Sequence, residues 1–283
     1  MSLDFGLLQI QGIDAIKFLQ GQVTCDVAQT SPTQGTYGAH CNPKGRILFS
    51  FYLYRRADDC LWLQIPSMML EQAQKDLAKY SVFSKVAISI VDKPIQLIHS
   101  PVQLPHSVFQ DDGGIIRQRT HEYYEVIGHP APINQVATFS TATDHWSLLD
   151  IQQGIAHIHP ETRDMFTPEE INYTLIDAVS FRKGCYTGQE IIARMHYKGK
   201  HKRHAHRFVL DSAEIPTLGS NVISNISNQK IGEIISIAKS NNPNQFECLA
   251  SIQDDARNHA MISTHQTMQP TDLPYAIPQT EVQ

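Results

Sequence analysis

The chain has 283 residues, of which 41% are hydrophobic and 18% charged, with a net charge of −5. That length suits two domains or one elaborated one; the composition excludes a disordered or fibrous protein, and no apolar run approaches the roughly 20 residues a membrane helix needs. Five cysteines lie far apart with no C-x-x-C pair, so their spacing reads neither as a disulfide framework nor as a zinc or cluster cradle.

The first ten residues lack both the basic and apolar regions of a secretory signal and the Arg/Ser-rich character of an organelle presequence, so a cytoplasmic protein with no membrane contact is expected. Residues 7–13 read as a strand leading into a helix that Asp14 can cap, with Ala15, Phe18 and Leu19 on its core-facing stripe. Asn42, Pro43, Lys44 and Gly45 have turn chemistry, and residues 46–54 form a long β-rich run. A hairpin at Ala57, Asp58 and Asp59 folds that run onto residues 61–65.

Ser67 can cap a helix running to about Tyr80, with Met69, Leu70, Ala73 and Leu77 on one stripe, and a strand follows at 86–91. Strands joined by hairpins as well as crossovers favour an α+β layout with antiparallel sheet. Residues 95–143, with four prolines, offer only short β-like pieces such as 123–127. Asp144 can cap a short helix carrying Trp146, Leu148, Leu149 and Ile151, which Gly154 ends. Trp146 reads on spacing as a core residue of that helix. From His204 onward, short β runs at 207–210, 221–226, 230–237 and 248–252 alternate with Gly, Pro and Asn turns, as in a small β-barrel, and a loosely held tail begins near Gln269.

Residues 194–207 hold six Lys/Arg, four His and no acid, whereas the 17 other Lys and Arg against 28 acids leave the remainder at −11. Such a positive surface on an acidic body suits an anionic partner, RNA included, or is simply a solvated basic hairpin. Aromatic interleaving is poor, so base stacking is weakly supported, and His201, His204 and His206 read as solvated histidines with no completed metal set.

Chemistry concentrates at Lys183-Gly184-Cys185-Tyr186-Thr187-Gly188-Gln189-Glu190. Thr187 to Glu190 has the form of a capping box, followed by Ile191, Ile192 and Met195 as the buried side of a helix. A thiolate at Cys185 would feel the helix dipole and the cations Arg182 and Lys183, all of which favour an anionic, nucleophilic sulphur. Equally, Cys185 is a small buried filler between a strand at 178–181 and the helix.

These eight residues resemble the K-G-C-Y-x-G-Q-E signature of the YgfZ family of folate-binding proteins, relatives of the T-protein of glycine cleavage. The likeness continues through 176–181 and 191–194 to a basic turn at 198–200, and into blocks at 12–27, 39–48 and 79–86. It implies an α+β fold in which residues 1–203 form two interleaved halves around a folate cavity and 204–283 a C-terminal β-barrel with its tail.

The resemblance implies that tetrahydrofolate is the cofactor, with Phe5, Trp146, Gln152, Lys183, Tyr186 and Arg194 as its contacts and Cys185 as an essential thiol. The implied role is that of a monomeric accessory protein for assembly or repair of iron–sulphur enzymes such as tRNA methylthiotransferases; the alternative is a folate-dependent one-carbon transferase. Acids that T-protein carries in the strand matching 46–54 fall here on Leu48 and Phe49, which disfavours aminomethyltransferase activity.

Overall fold

The computed structural model describes residues 4–100, 108–131, 140–141, 145–198, 202–212, 214–262 and 266–278. The expected caps and turns at Asp144, Gly199, Lys200 and His201 lie outside them. The first layer is an antiparallel sheet of β1 (Phe5–Gln11), β2 (Thr36–Cys41), β3 (Ile47–Ala57), β4 (Cys60–Pro66) and β5 (Ala87–Val91), in the order β2-β3-β4-β1-β5. Ala57 pairs with Cys60, so Asp58 and Asp59 form the expected tight loop.

Two helices, α1 (Ala15–Gln20) and α2 (Leu70–Ala78), cover one face of this sheet. Phe18 and Leu19 from α1 and Leu70, Ala73 and Leu77 from α2 pack against Leu8, Phe51 and Leu63. Their expected caps do not form. Asp14 instead accepts a hydrogen bond from the Lys85 N–H at 2.8 Å, tying the helix start to the approach to β5. Ser67 opens a short 3-10 turn, and α2 begins only at Leu70.

Residues 95–141 carry a second antiparallel sheet, where the sequence showed only fragments. Its strands β6 (Ile95–His99), β7 (Val108–Gln110), β8 (Gly114–Gln118), β9 (Tyr123–Gly128) and β10 (Ser140–Thr141) run in the order β10-β6-β9-β8-β7. Leu7, Tyr54 and Trp62 of the first sheet meet Val108, Ile115 and Ile127 of the second. Helix α3 (Trp146–Gln152) then ends as expected, Gly154 taking a left-handed φ of 69°.

The segment 155–188 has almost no regular structure; its backbone bonds are mostly to its own local turns, with a few to the first layer. Ile47 N–H donates to the Phe166 carbonyl at 2.8 Å, and Ser180 N–H to that of Thr24 at 2.9 Å. Helix α4 (Gln189–Lys198) follows.

The C-terminal sheet contains β11 (Arg203–Asp211), β12 (Asn221–Ser224), β13 (Lys230–Lys239), β14 (Gln245–Gln253), β15 (Ala260–Ile262) and β16 (Gln269–Thr271). Its order β15-β12-β13-β14-β11-β16 leaves β15 and β16 at opposite edges, so it is a half-barrel rather than a closed one. The expected loose tail is held as far as it is described. β16 pairs with β11, and the Tyr275 hydroxyl donates to the Gly154 carbonyl at 2.7 Å. Among the described residues, no helix is long and apolar enough to cross a membrane.

Candidate functional site

The turn before α4 sends some side chains inward and others outward. Lys183 points in: its Nζ donates to the carbonyls of Val23 and Cys25, both at 2.7 Å, and lies 4.9 Å from the centre of the Tyr186 ring. Burial of this ammonium lowers its pKa to about 8. Tyr186 also points in, and its hydroxyl is buried without a hydrogen-bond partner. Gly184 and Cys185 face outward, and a Cβ on Gly184 would meet nothing within 4 Å.

Cys185 is therefore not a buried filler; it is the exposed cysteine of the five. Its environment differs from the expected one, because Lys183 sits beside the Cys25 thiol, which burial pushes up to about 12. Helix α4 starts at Gln189, and the turn closes through Gln189 Oε1, which accepts from Tyr186 N–H at 3.3 Å, in place of the expected Thr187–Glu190 box. Gly188 is required here. Its φ is 84°, and a Cβ would lie 2.5 Å from the Asn42 carbonyl oxygen.

A cleft of about 1140 Å³ opens between the first sheet and the segment 176–182 that leads into this turn; Cys185 is not among its lining residues. Tyr37 and Tyr52 form one wall, their rings 4.9 Å apart in a T-shaped pair; Phe181, Arg182 and Asp177 line the other. Asp177 holds a left-handed φ of 57°, a conformation that costs a non-glycine residue energy and is concentrated at functional sites.

Behind the tyrosine wall lies a buried chain of charges. Arg117 stacks 3.4 Å over the Tyr52 ring and donates to the Tyr37 hydroxyl. Register places Arg117 directly opposite Glu125 across β8 and β9. Glu125 accepts from the Tyr54 hydroxyl and, at 3.2 Å, from Arg119, which also binds Asp150. Asp150 in turn meets His157 Nε2 at 2.9 Å. Burial alone would raise the Asp150 pKa, but Arg119 and His157 outweigh it and hold the carboxylate below its ordinary value.

The structure brings Phe5 and Trp146 together, ring centres 4.9 Å apart, in a small core cluster with Leu97 and Leu149. Both are nearly covered, neither lines the cleft, and Trp146 Nε1 has no partner. The Phe5 ring also meets His157 edge-on at 5.1 Å, so this pair abuts the far end of the charged chain. Gln152 donates to Glu247 at 3.1 Å, joining α3 to the half-barrel, and Arg194 is exposed on α4.

Sequence reasoning missed Tyr37, Tyr52, Arg117, Glu125 and Asp150. The available signal was charge inside apolar strands, Arg117 following Ile115-Ile116 and Glu125 preceding Val126-Ile127, since buried charges must be paired. The histidines also differ from expectation. His204 and His206 are buried and share Asp254, each with a contact of 2.9 Å. Within the basic stretch, Arg203 pairs with Glu233 and Arg207 with Glu247, so part of its charge is neutralised.

No protein-family model matches the chain. Its fold is similar to that in a crystal structure of glycine cleavage system aminomethyltransferase T from Bartonella henselae, with a TM-score of 0.72 at 15% identity over 94% of this chain and 81% of that one.

Proposed function

We propose that this chain is a folate-binding accessory protein that maintains or repairs iron–sulphur enzymes, tRNA-modifying methylthiotransferases among them, through the thiol of Cys185. The observation that carries this reading is the exposed Cys185 on a turn pinned from beneath by Lys183 and Gly188, three residues after Arg182, which lines a large aromatic cleft. The likeness to an aminomethyltransferase fold supports a folate-related ligand, while Leu48 and Phe49 leave no carboxylate at those positions of β3 for acid-dependent transfer.

The cleft offers what a reduced folate needs. Tyr37 and Tyr52 present flat surface for a pterin, Asp26, Asp177 and Gln34 offer acceptors for its amino-amide edge, and Arg182 is a cation for the glutamate tail. At about 1140 Å³ the space is slightly larger than the roughly 300–1,000 Å³ of ordinary ligand pockets. Phe5 and Trp146, with Gln152, are a second proposed contact for the ring.

Calorimetric titration with tetrahydrofolate tests both placements. Tyr52→Ala weakens binding by about tenfold or more if the ring stacks in the cleft, and Phe5→Ala does so if it stacks beside Trp146. Absence of any binding by the unaltered protein removes the folate reading. Cells relying on Cys185→Ser are expected to lose cluster-dependent tRNA thiolation; normal thiolation would remove the thiol.

A further inference from the structure

A second hollow, of about 260 Å³, lies where the first sheet, α3 and the half-barrel meet. Its walls are largely aliphatic: Pro66 ends β4 and Met68 lies in the turn after it, Ile151 and Ile155 belong to α3 and its exit, and Leu218 and Ile237 come from the half-barrel. An apolar hollow of this kind has no need of polar atoms. Yet His157, His159 and Ser236 are all more than nine-tenths buried and form part of its wall, and His157 Nδ1, His159 Nδ1 and Ser236 Oγ each lack a hydrogen-bond partner. Three unmet polar groups on one small cavity are costly unless a ligand satisfies them.

The protonation pattern says what these groups ask for. Asp150 is held ionised and engages His157 through Nε2 at 2.9 Å, so Nδ1 is the ring nitrogen left toward the hollow with no protein partner. Burial, and then the nearby His157, lowers His159 to about pH 4, so its ring is uncharged at neutral pH. The charged groups lining the hollow are all acids, Asp4, Asp150 and Glu161, and no Lys or Arg among the described residues joins them. Asp150 is neutralised by Arg119, whereas Asp4 and Glu161 are exposed and leave the field negative.

We infer that this hollow is a binding site for a small hydrophobic amine, whose apolar body lies against the aliphatic walls and whose N–H groups bond to His157 Nδ1 and His159 Nδ1. The acids select a cation and reject a carboxylate. The folate reading's first placement, in the cleft at Tyr37 and Tyr52, is separate from this hollow, whereas its second, at Phe5 and Trp146, adjoins it through His157.

The test uses the full chain labelled with 15N-histidine, titrated with benzylamine and with benzoate, which share a ring and differ in charge. His157→Asn and His159→Asn serve to assign the imidazole signals. Benzylamine is expected to shift the Nδ1 resonances of His157 and His159 saturably, binding about tenfold or more tighter than benzoate, and Glu161→Gln to narrow that preference. No saturable shift, or equal affinity for the two probes, overturns the site. Glu161 is exposed, so its variant is expected to fold, and tetrahydrofolate titration of that variant is expected to be unchanged. Loss of folate binding in the unaltered chain would count against the folate reading alone.

Discussion

The turn at 183–188 and the strand pair β8–β9 bury cations in opposite ways. Lys183 is held by two backbone carbonyls with no carboxylate in contact, and its pKa falls to about 8. Arg117 and Arg119 are buried just as thoroughly but meet Glu125 and Asp150, and their pKa values rise above the ordinary arginine value, the nearby acids and tyrosine hydroxyls outweighing burial. The difference teaches that carbonyl dipoles can seat a cation without securing its charge, whereas a balanced set of acids secures it. It also separates roles: the lysine anchors a turn that presents a thiol, and the arginines brace the two sheets behind the cleft.

The comparison breaks most severely if the acids are removed. Asp150→Ala leaves Arg119 buried beside a lost partner and takes the acceptor from His157, and a loss of about 3–5 kcal/mol is expected in denaturant unfolding. A loss under about 1 kcal/mol would mean that the charges are not mutually dependent.

Lys183→Met sharpens the contrast through pH. Below about pH 8 the lysine is protonated in both states, and the folded state bears the full cost of burying its charge. As pH rises from about 8 toward the ordinary lysine value of 10.5, the folded state sheds the proton while the unfolded chain keeps it, so the lysine's contribution to stability increases. The unaltered protein should therefore gain on Lys183→Met across that window. Parallel stability curves there would show that the ammonium is not desolvated.

The smallest structural effect is expected at the presented residue. Cys185→Ser should change stability by no more than about 0.5 kcal/mol, as at an ordinary surface site. In the native protein iodoacetamide should modify Cys185, whereas Cys25, Cys41 and Cys248, buried and with raised pKa values, should react only after unfolding. Rapid native labelling of Cys25 would mean that the floor beneath the turn opens.

Local signals identified much of the first layer. The stripes of Phe18 with Leu19 and of Ala73 with Leu77 are buried as their spacing requires, and Gly154 and Gly45 take the positive φ their turns need. The second sheet was hard to read because its strands are short and broken by Gly113 and Gly114. A Cβ on Gly114 would lie 1.9 Å from the Ile127 carbonyl, so those glycines serve close strand approach, which a propensity reading scores as loop. Of the candidate site, the motif around Cys185 was visible, but the tyrosine wall and the ion chain were not.

The amino-acid sequence by itself determined that residues 183–190 form a tight turn entering a helix, that 47–66 fold as a hairpin, and that the chain ends in β structure, because each depends on neighbours within a few residues. Only the tertiary structure decided that Lys183 turns from Cys185 to the carbonyls of Val23 and Cys25, that Arg119 finds Asp150, and that His157 and His159 wall a hollow. A side chain's direction follows from which distant backbone or opposite charge can satisfy it once water is excluded, and those partners lie far away in sequence, from 31 residues for Arg119 and Asp150 to 160 for Lys183 and Val23.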